Sequence, residues 1–144
     1  MKAVQTEDVA MVEYVLDNCG ADPNVPDATG NLPIVAAIKN AIITEPTNVE
    51  QYFADIVIPI VDKLLKFGAD PNREETIKNT ESDEVEIISK TTALVQTMHC
   101  LIHYRRSNEI SQAVVNLIHL LCKNGADLLQ PCNLDKKFST ANHK

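Results

Sequence analysis

With 144 residues, 44% of them hydrophobic, the chain has the size and composition of one folded domain, which excludes wholesale disorder. Thirteen Lys and Arg against twenty Asp and Glu leave a formal charge of −7, a poor footprint for nucleic acid or an anionic membrane surface. Aromatic residues at 4% and the absence of tryptophan exclude a stacking platform for bases or methylated ligands.

Taken in order, the first residues, Met1 to Val12, hold Glu7 and Asp8 and no long apolar stretch, so no secretory signal is expected. A helix is predicted over 7–18, closed by Gly20-Ala21-Asp22-Pro23-Asn24. Asp27-Ala28-Thr29-Gly30-Asn31-Leu32 then leads into a helix over 33–42, with Pro33 at the first helical position, where its missing N–H costs nothing. A longer helix is predicted over 48–67, opened by the capping-box spacing of Thr47 and Glu50 and interrupted by Pro59, where a kink is expected. It holds the longest apolar run, Ile56 to Val61, far too short to cross a bilayer, and closes on Gly68-Ala69-Asp70-Pro71-Asn72. An acidic stretch, Glu74 to Glu86, follows. Helices over 93–105, capped by Thr92, and over 108–124 complete the chain before Gly125-Ala126-Asp127.

The recurring phrases mark internal repetition. Counted back eleven, eight and four places from each closing glycine, the residues are Val9, Val12, Leu16, then Val57, Ile60, Leu64, then Val114, Leu117, Leu121. One helical stripe is used three times. Each glycine stands where a helix ends in a left-handed residue.

On these residues the chain resembles an ankyrin repeat protein. Asp27, Gly30, Pro33, Ile34 and Ala37 match the first half of that pattern, and Leu64, Leu65, Gly68, Ala69, Asp70 and Asn72 the second; Lys90 stands where the family has glycine and Val95 where it usually has histidine. Gly20 to Gly68 and Gly68 to Gly125 both exceed the family period of about 33, so extra residues fall near Ala41 to Phe53, between Arg73 and Ser89 where the family carries its hairpin finger, and near His103 to Gln112. The resemblance implies an all-α fold, a short ankyrin-like α-solenoid of antiparallel helix pairs with projecting loops. It divides into a half unit 5–26, full units 27–72 and 73–127 with an acidic insertion at 73–89, and a tail 128–144. Incomplete ends imply apolar faces that a partner, end-to-end self-association, or a fold-over of Cys132 to Phe138 would cover.

Function follows from the resemblance: non-covalent recognition of a protein, as a regulatory or inhibitory binder, with a structural segment of a larger repeat assembly or a small hydrolase as the alternatives. The contact candidates are Asn31, Lys39, Asn40, Glu74, Glu81, Asp83, Glu84, Lys90 and Gln96, from loop tips and polar positions of the shorter helices. The acidic stretch is either a solvated insertion or an element that engages a basic face of the partner. No nucleophile elbow, HExxH or phosphate loop occurs, so neither catalysis nor a cofactor is expected, and Cys100, His103 and Glu109 make only a nominal triad. His99, His103, His119 and Cys122 have helical spacing for zinc, but His103 lies near a helix end and His119 in mid-helix, and Asp22, Asn24 and Asp27 lack the terminal glutamate of a calcium loop. Arg105-Arg106 and Lys136-Lys137 are isolated basic pairs. Four cysteines without a CxxC pair fit reduced thiols and a cytoplasmic protein.

Overall fold

The computed structural model describes residues 1–79, 86–105 and 110–127, and the fold is mostly helical. Of the expected features, Glu81, Asp83, Glu84, Glu109 and the tail 128–144 lie outside the described residues.

Local chemistry opens and closes the helices. A short α1, Lys2–Gln5, precedes α2, Val9–Asp17, which starts where Asp8 accepts from the Ala10 and Met11 amides at 3.0 and 3.3 Å. The opening of the chain therefore contributes a helix pair and not one helix alone; α1 is four residues long, too brief to show a periodic stripe, but Ala3 and Val4 are buried in the common core. Between the two helices Glu7 takes a φ of 59°. Next, α3, Pro33–Ile43, starts on proline as predicted. The long third segment runs as α4, Val49–Tyr52, a π-helical turn, Phe53–Val57, and α5, Ile58–Lys66. Asn48, not Thr47, caps α4, accepting from the Gln51 amide at 3.0 Å. The disturbance expected at Pro59 takes the form of that π turn, in which Ile58 N–H donates to Phe53 O. Proline has no N–H to return to the preceding turn, and a widened turn ahead of it moves the carbonyls away from its ring.

Where the resemblance places the family's hairpin finger, strands β1, Glu75–Asn79, and β2, Glu86–Thr91, pair antiparallel from Glu75↔Thr91 to Asn79↔Glu86, with an irregularity at Ile77/Lys78, a strand pair that the all-α class does not name. Thr92 then caps α6, Ala93–His103, through the Val95 amide at 3.3 Å, and α7, Ile110–Lys123, closes the described fold.

The helices form two layers. Helices α1, α3 and α6 lie side by side in one; α2, the α4–α5 segment and α7 lie in the other, and each member of the first packs on its chain neighbour in the second. Cys100 Sγ lies 3.6 Å from Ile38 O and the Tyr104 hydroxyl donates to Ala41 O, contacts that advance together along both helices, so α3 and α6 are parallel. Val12 and Leu16, Ile60 and Leu64, and Leu117 and Leu121 of the repeated stripe belong to one buried cluster with Val57 and Val114. Each such side chain contributes about 1.5–3 kcal/mol by leaving water. Val9, the first stripe residue, is only half-buried.

The turns end the helices as the glycines require. Gly68 has a φ of 98°, its N–H donates to Leu65 O, and Ala69 N–H returns to Leu64 O at 2.9 Å; Gly125 and Ala126 repeat the pattern on Cys122 and Leu121. Gly30, at φ 100°, has a second reason to be glycine: a Cβ there would meet Thr76 O of β1 at 2.5 Å.

Candidate recognition surface

The hairpin is fastened to the layers by one carboxylate. Glu75 is 1% exposed; its Oε1 accepts from the Leu32 amide at 2.8 Å, just ahead of α3, and its Oε2 lies 3.5 Å from Lys39 Nζ. Burying a carboxylate is costly, so a hydrogen bond and a cation are needed to hold it. Next to it, Glu74 and Lys90 form a half-buried ion pair at 3.5 Å across the start of the hairpin. The turn that faces β1 is locked by Asp27, whose Oδ1 accepts from the Thr29 and Asn31 amides at 2.9 Å each and from the Thr29 hydroxyl at 2.8 Å. Partial burial works against the ionised form of Asp27, but the bonds from Asn31 and Thr29 prevail and hold its carboxyl down to about 2.

These contacts sort the expected recognition residues. Asn31 is exposed enough to reach a partner, but its amide is engaged with Asp27 (3.0 Å) and Thr29 (2.6 Å). Lys39 and Lys90 are partly accessible and committed to ion pairs, as is Glu74. Two assignments are corrected. Asn40, 6% exposed, is an internal residue whose Nδ2 donates to Val4 O at 3.4 Å and ties α3 to α1. Gln96, 4% exposed, lies on the buried face of α6 with Ala93, Thr97 and Cys100. Glu75 also leaves the acidic surface to which its neighbours were assigned.

What the layer of α1, α3 and α6 presents to solvent is more apolar than expected. On α6, Val95, Met98, His99 and Ile102 recur at i, i+3, i+4 and i+7 opposite the Cys100 face; Met98 and Ile102 are exposed, Ile102 at 58%. Alongside, α3 presents Ile43, 66% exposed, and the stem of Lys39. A row of large apolar side chains left in water on a rigid helix is the usual mark of a protein-contact surface. Its signal was present at the right spacing, but α6 carries Leu94, Val95, Met98, Leu101 and Ile102 almost all round, and the polar Gln96 suggested the wrong solvent face.

Burial pushes the Cys100 thiol up to about 12, so it supplies no thiolate at neutral pH, and the His103 side chain is exposed and packs edge-on against Tyr104 with ring centroids 4.6 Å apart. Among the described residues no three His, Cys, Asp or Glu side chains converge as metal ligands, so the His99, His103, His119 and Cys122 set is not brought together; of the Asp22, Asn24 and Asp27 set, the Asn24 carboxamide is engaged with Gly68 O and the Asp70 amide. Asp22 accepts instead from the Asn24 amide at 2.9 Å. No described helix is long and apolar enough to cross a membrane. Among known proteins, no family model and no curated protein matches the chain.

Proposed function

We propose that this protein is a non-catalytic recognition domain, an irregular ankyrin-like solenoid that binds another protein through the solvent face of α3 and α6 and the hairpin beside them. The observation that carries this reading is the exposed Met98–Ile102 stripe on a helix otherwise anchored in the core. Parallel helices in a packed layer lose little conformational freedom on binding, so apolar contact area on them is used efficiently. The two-layer order, the repeated turn geometry and the hairpin ahead of α6 support the ankyrin-like reading.

A partner with an apolar patch flanked by basic groups fits best, because the chain carries a charge of −7 and the acidic run Glu81, Asp83 and Glu84 lies in sequence between β1 and β2. Three cysteines free among the described residues accord with a reducing compartment, and a cytoplasmic role is part of this proposal.

Affinity capture from cytosol with the intact protein and with Ile102→Glu tests it. The expected outcome is a bound protein retained by the wild type and lost from the variant, with unchanged circular dichroism. Equal retention by both removes α6 as the contact surface. With the captured partner in hand, neutralising Glu81, Asp83 and Glu84 is expected to slow association and flatten its salt dependence.

A further inference from the structure

At each internal junction one asparagine stitches two turns together. Asn24 Nδ2 donates to Gly68 O at 2.9 Å while its Oδ1 accepts from the Asp70 amide at 2.7 Å. Asn72 repeats the pair on Gly125 O at 2.8 Å and the Asp127 amide at 2.7 Å. The repeated element is a backbone carbonyl and, two residues on, a backbone N–H, read together by one side chain. A carboxamide carries the matching donor and acceptor side by side; an ionised carboxylate only accepts and a lysine only donates.

The third copy of that backbone pair is open. Gly20 O and the Asp22 N–H stand where Gly68 and Asp70 stand in the next turn, and no described residue bonds to either. Both residues are exposed. Beside them runs a groove of about 430 Å³ whose walls include Met1, Ala3, Val15, Ala21 and Val25. Val15 shares a helix face with Met11 and Tyr14, at i, i+3 and i+4, and Met11, Tyr14 and Val25 are 44%, 56% and 54% exposed. This edge thus continues two junctions already built in the molecule: the same Gly-Ala-Asp phrase, closed here by Ala21 N–H on Val15 O, six residues back, where Ala69 and Ala126 reach five back, with an apolar groove next to it and without the amide.

We propose that this edge docks a helix-pair unit of another protein whose closing turn carries an asparagine, that amide bridging Gly20 O and the Asp22 N–H while its helices cover the groove. A second copy of this chain is a poor occupant. Asn24 and Asn72 are already engaged, and the residue two places beyond Asp127, where the other turns have asparagine, is Leu129, whose side chain can bridge nothing. The proposal does not depend on the α3–α6 reading, because it concerns a different surface.

The probe is a designed helix-pair repeat protein whose last turn reads Gly-Ala-Asp-Pro-Asn, titrated into the intact chain by calorimetry and by amide NMR. Saturable binding is expected, with the Asp22 amide among the shifted resonances, and a probe ending in leucine in place of that asparagine binds about tenfold more weakly or not at all. Asp22→Pro, which removes the N–H, is expected to cost a similar factor, whereas Asp22→Ala, which keeps it, retains most of the affinity. No saturable binding, equal affinity for both probes, or shifts confined to the Met98 and Ile102 face would each overturn the proposal. So would concentration-dependent self-association that the probe displaces, which would make a second copy the occupant. Because the leucine probe leaves this chain untouched, a folding failure of Asp22→Pro does not blur the result. Ile102→Glu is read out on a captured partner and not on this probe, so the recognition proposal stands or falls separately.

Discussion

Helices α3 and α6 are equal in length, parallel and side by side, yet they answer to different demands. α3 packs on α1, α5, the π turn and α6, and nearly every residue from Pro33 to Ala41 is buried, Asn40 included. α6 buries only Ala93, Gln96, Thr97 and Cys100 and leaves Met98, His99 and Ile102 in water. A helix enclosed over most of its length is read by its neighbours in the core and keeps Lys39 and Ile43 toward solvent; one enclosed on a single face has more side chains to spare for a partner. Position within the layer separates the two: among the described residues α3 lies between α1 and α6, and α6 has a layer neighbour on one side only.

Truncations break the comparison most directly. Ile38→Ala, at a fully buried site between the layers, is expected to cost about 2–5 kcal/mol in chemical denaturation, because the neighbouring helices cannot all collapse onto the cavity. Glu75→Ala comes next, at about 1–3 kcal/mol, since it strips the buried Leu32 amide of its acceptor. Lys39 is partly solvated and does not add the full penalty of an abandoned buried charge. If Glu75→Ala is neutral, the hairpin is not fastened through that carboxylate.

Acid sharpens the same picture at the turn. The folded carboxyl of Asp27 is held at about 2, below its ordinary 3.8, so its contribution is complete above pH 3.8 and is lost as pH falls toward 2. Thermal melts of wild type and Asp27→Asn are therefore expected to converge over that window, by about 1–2 °C, a small change because the group is exposed. A constant difference between the two down to pH 2 would remove the charge of Asp27 from the account. Smallest of all is Ile102→Ala, expected within about 0.5 kcal/mol of wild type; a loss approaching that of Ile38→Ala would mean that the α6 face is core.

Much of the helical order was legible along the chain. Thr92 caps α6, Pro33 opens α3 and the Gly-Ala-Asp turns close helices, because each of these devices works over three or four residues and carries its own residue type. The repeated stripe was legible for the same reason, since seven of its nine residues, Val12, Val57, Ile60, Leu64, Val114, Leu117 and Leu121, are at most 1% exposed. The recognition residues were harder. Lys39, Glu74 and Lys90 are polar near loops, and polarity in one dimension does not distinguish a free charge from one already paired across the fold.

Hydrogen-bonding caps, turn glycines and the spacing of apolar residues act within a few positions, so the order and type of the helices and the places where they stop are written in the chain itself. Packing assigned the rest: that Glu75 is buried beneath Leu32 and Lys39, that Gln96 faces inward while Ile102 does not, and that Asn24 and Asn72 meet turns more than forty residues away. Burial is a property of what lies opposite a side chain, and residues distant in sequence become opposite one another only when the layers close.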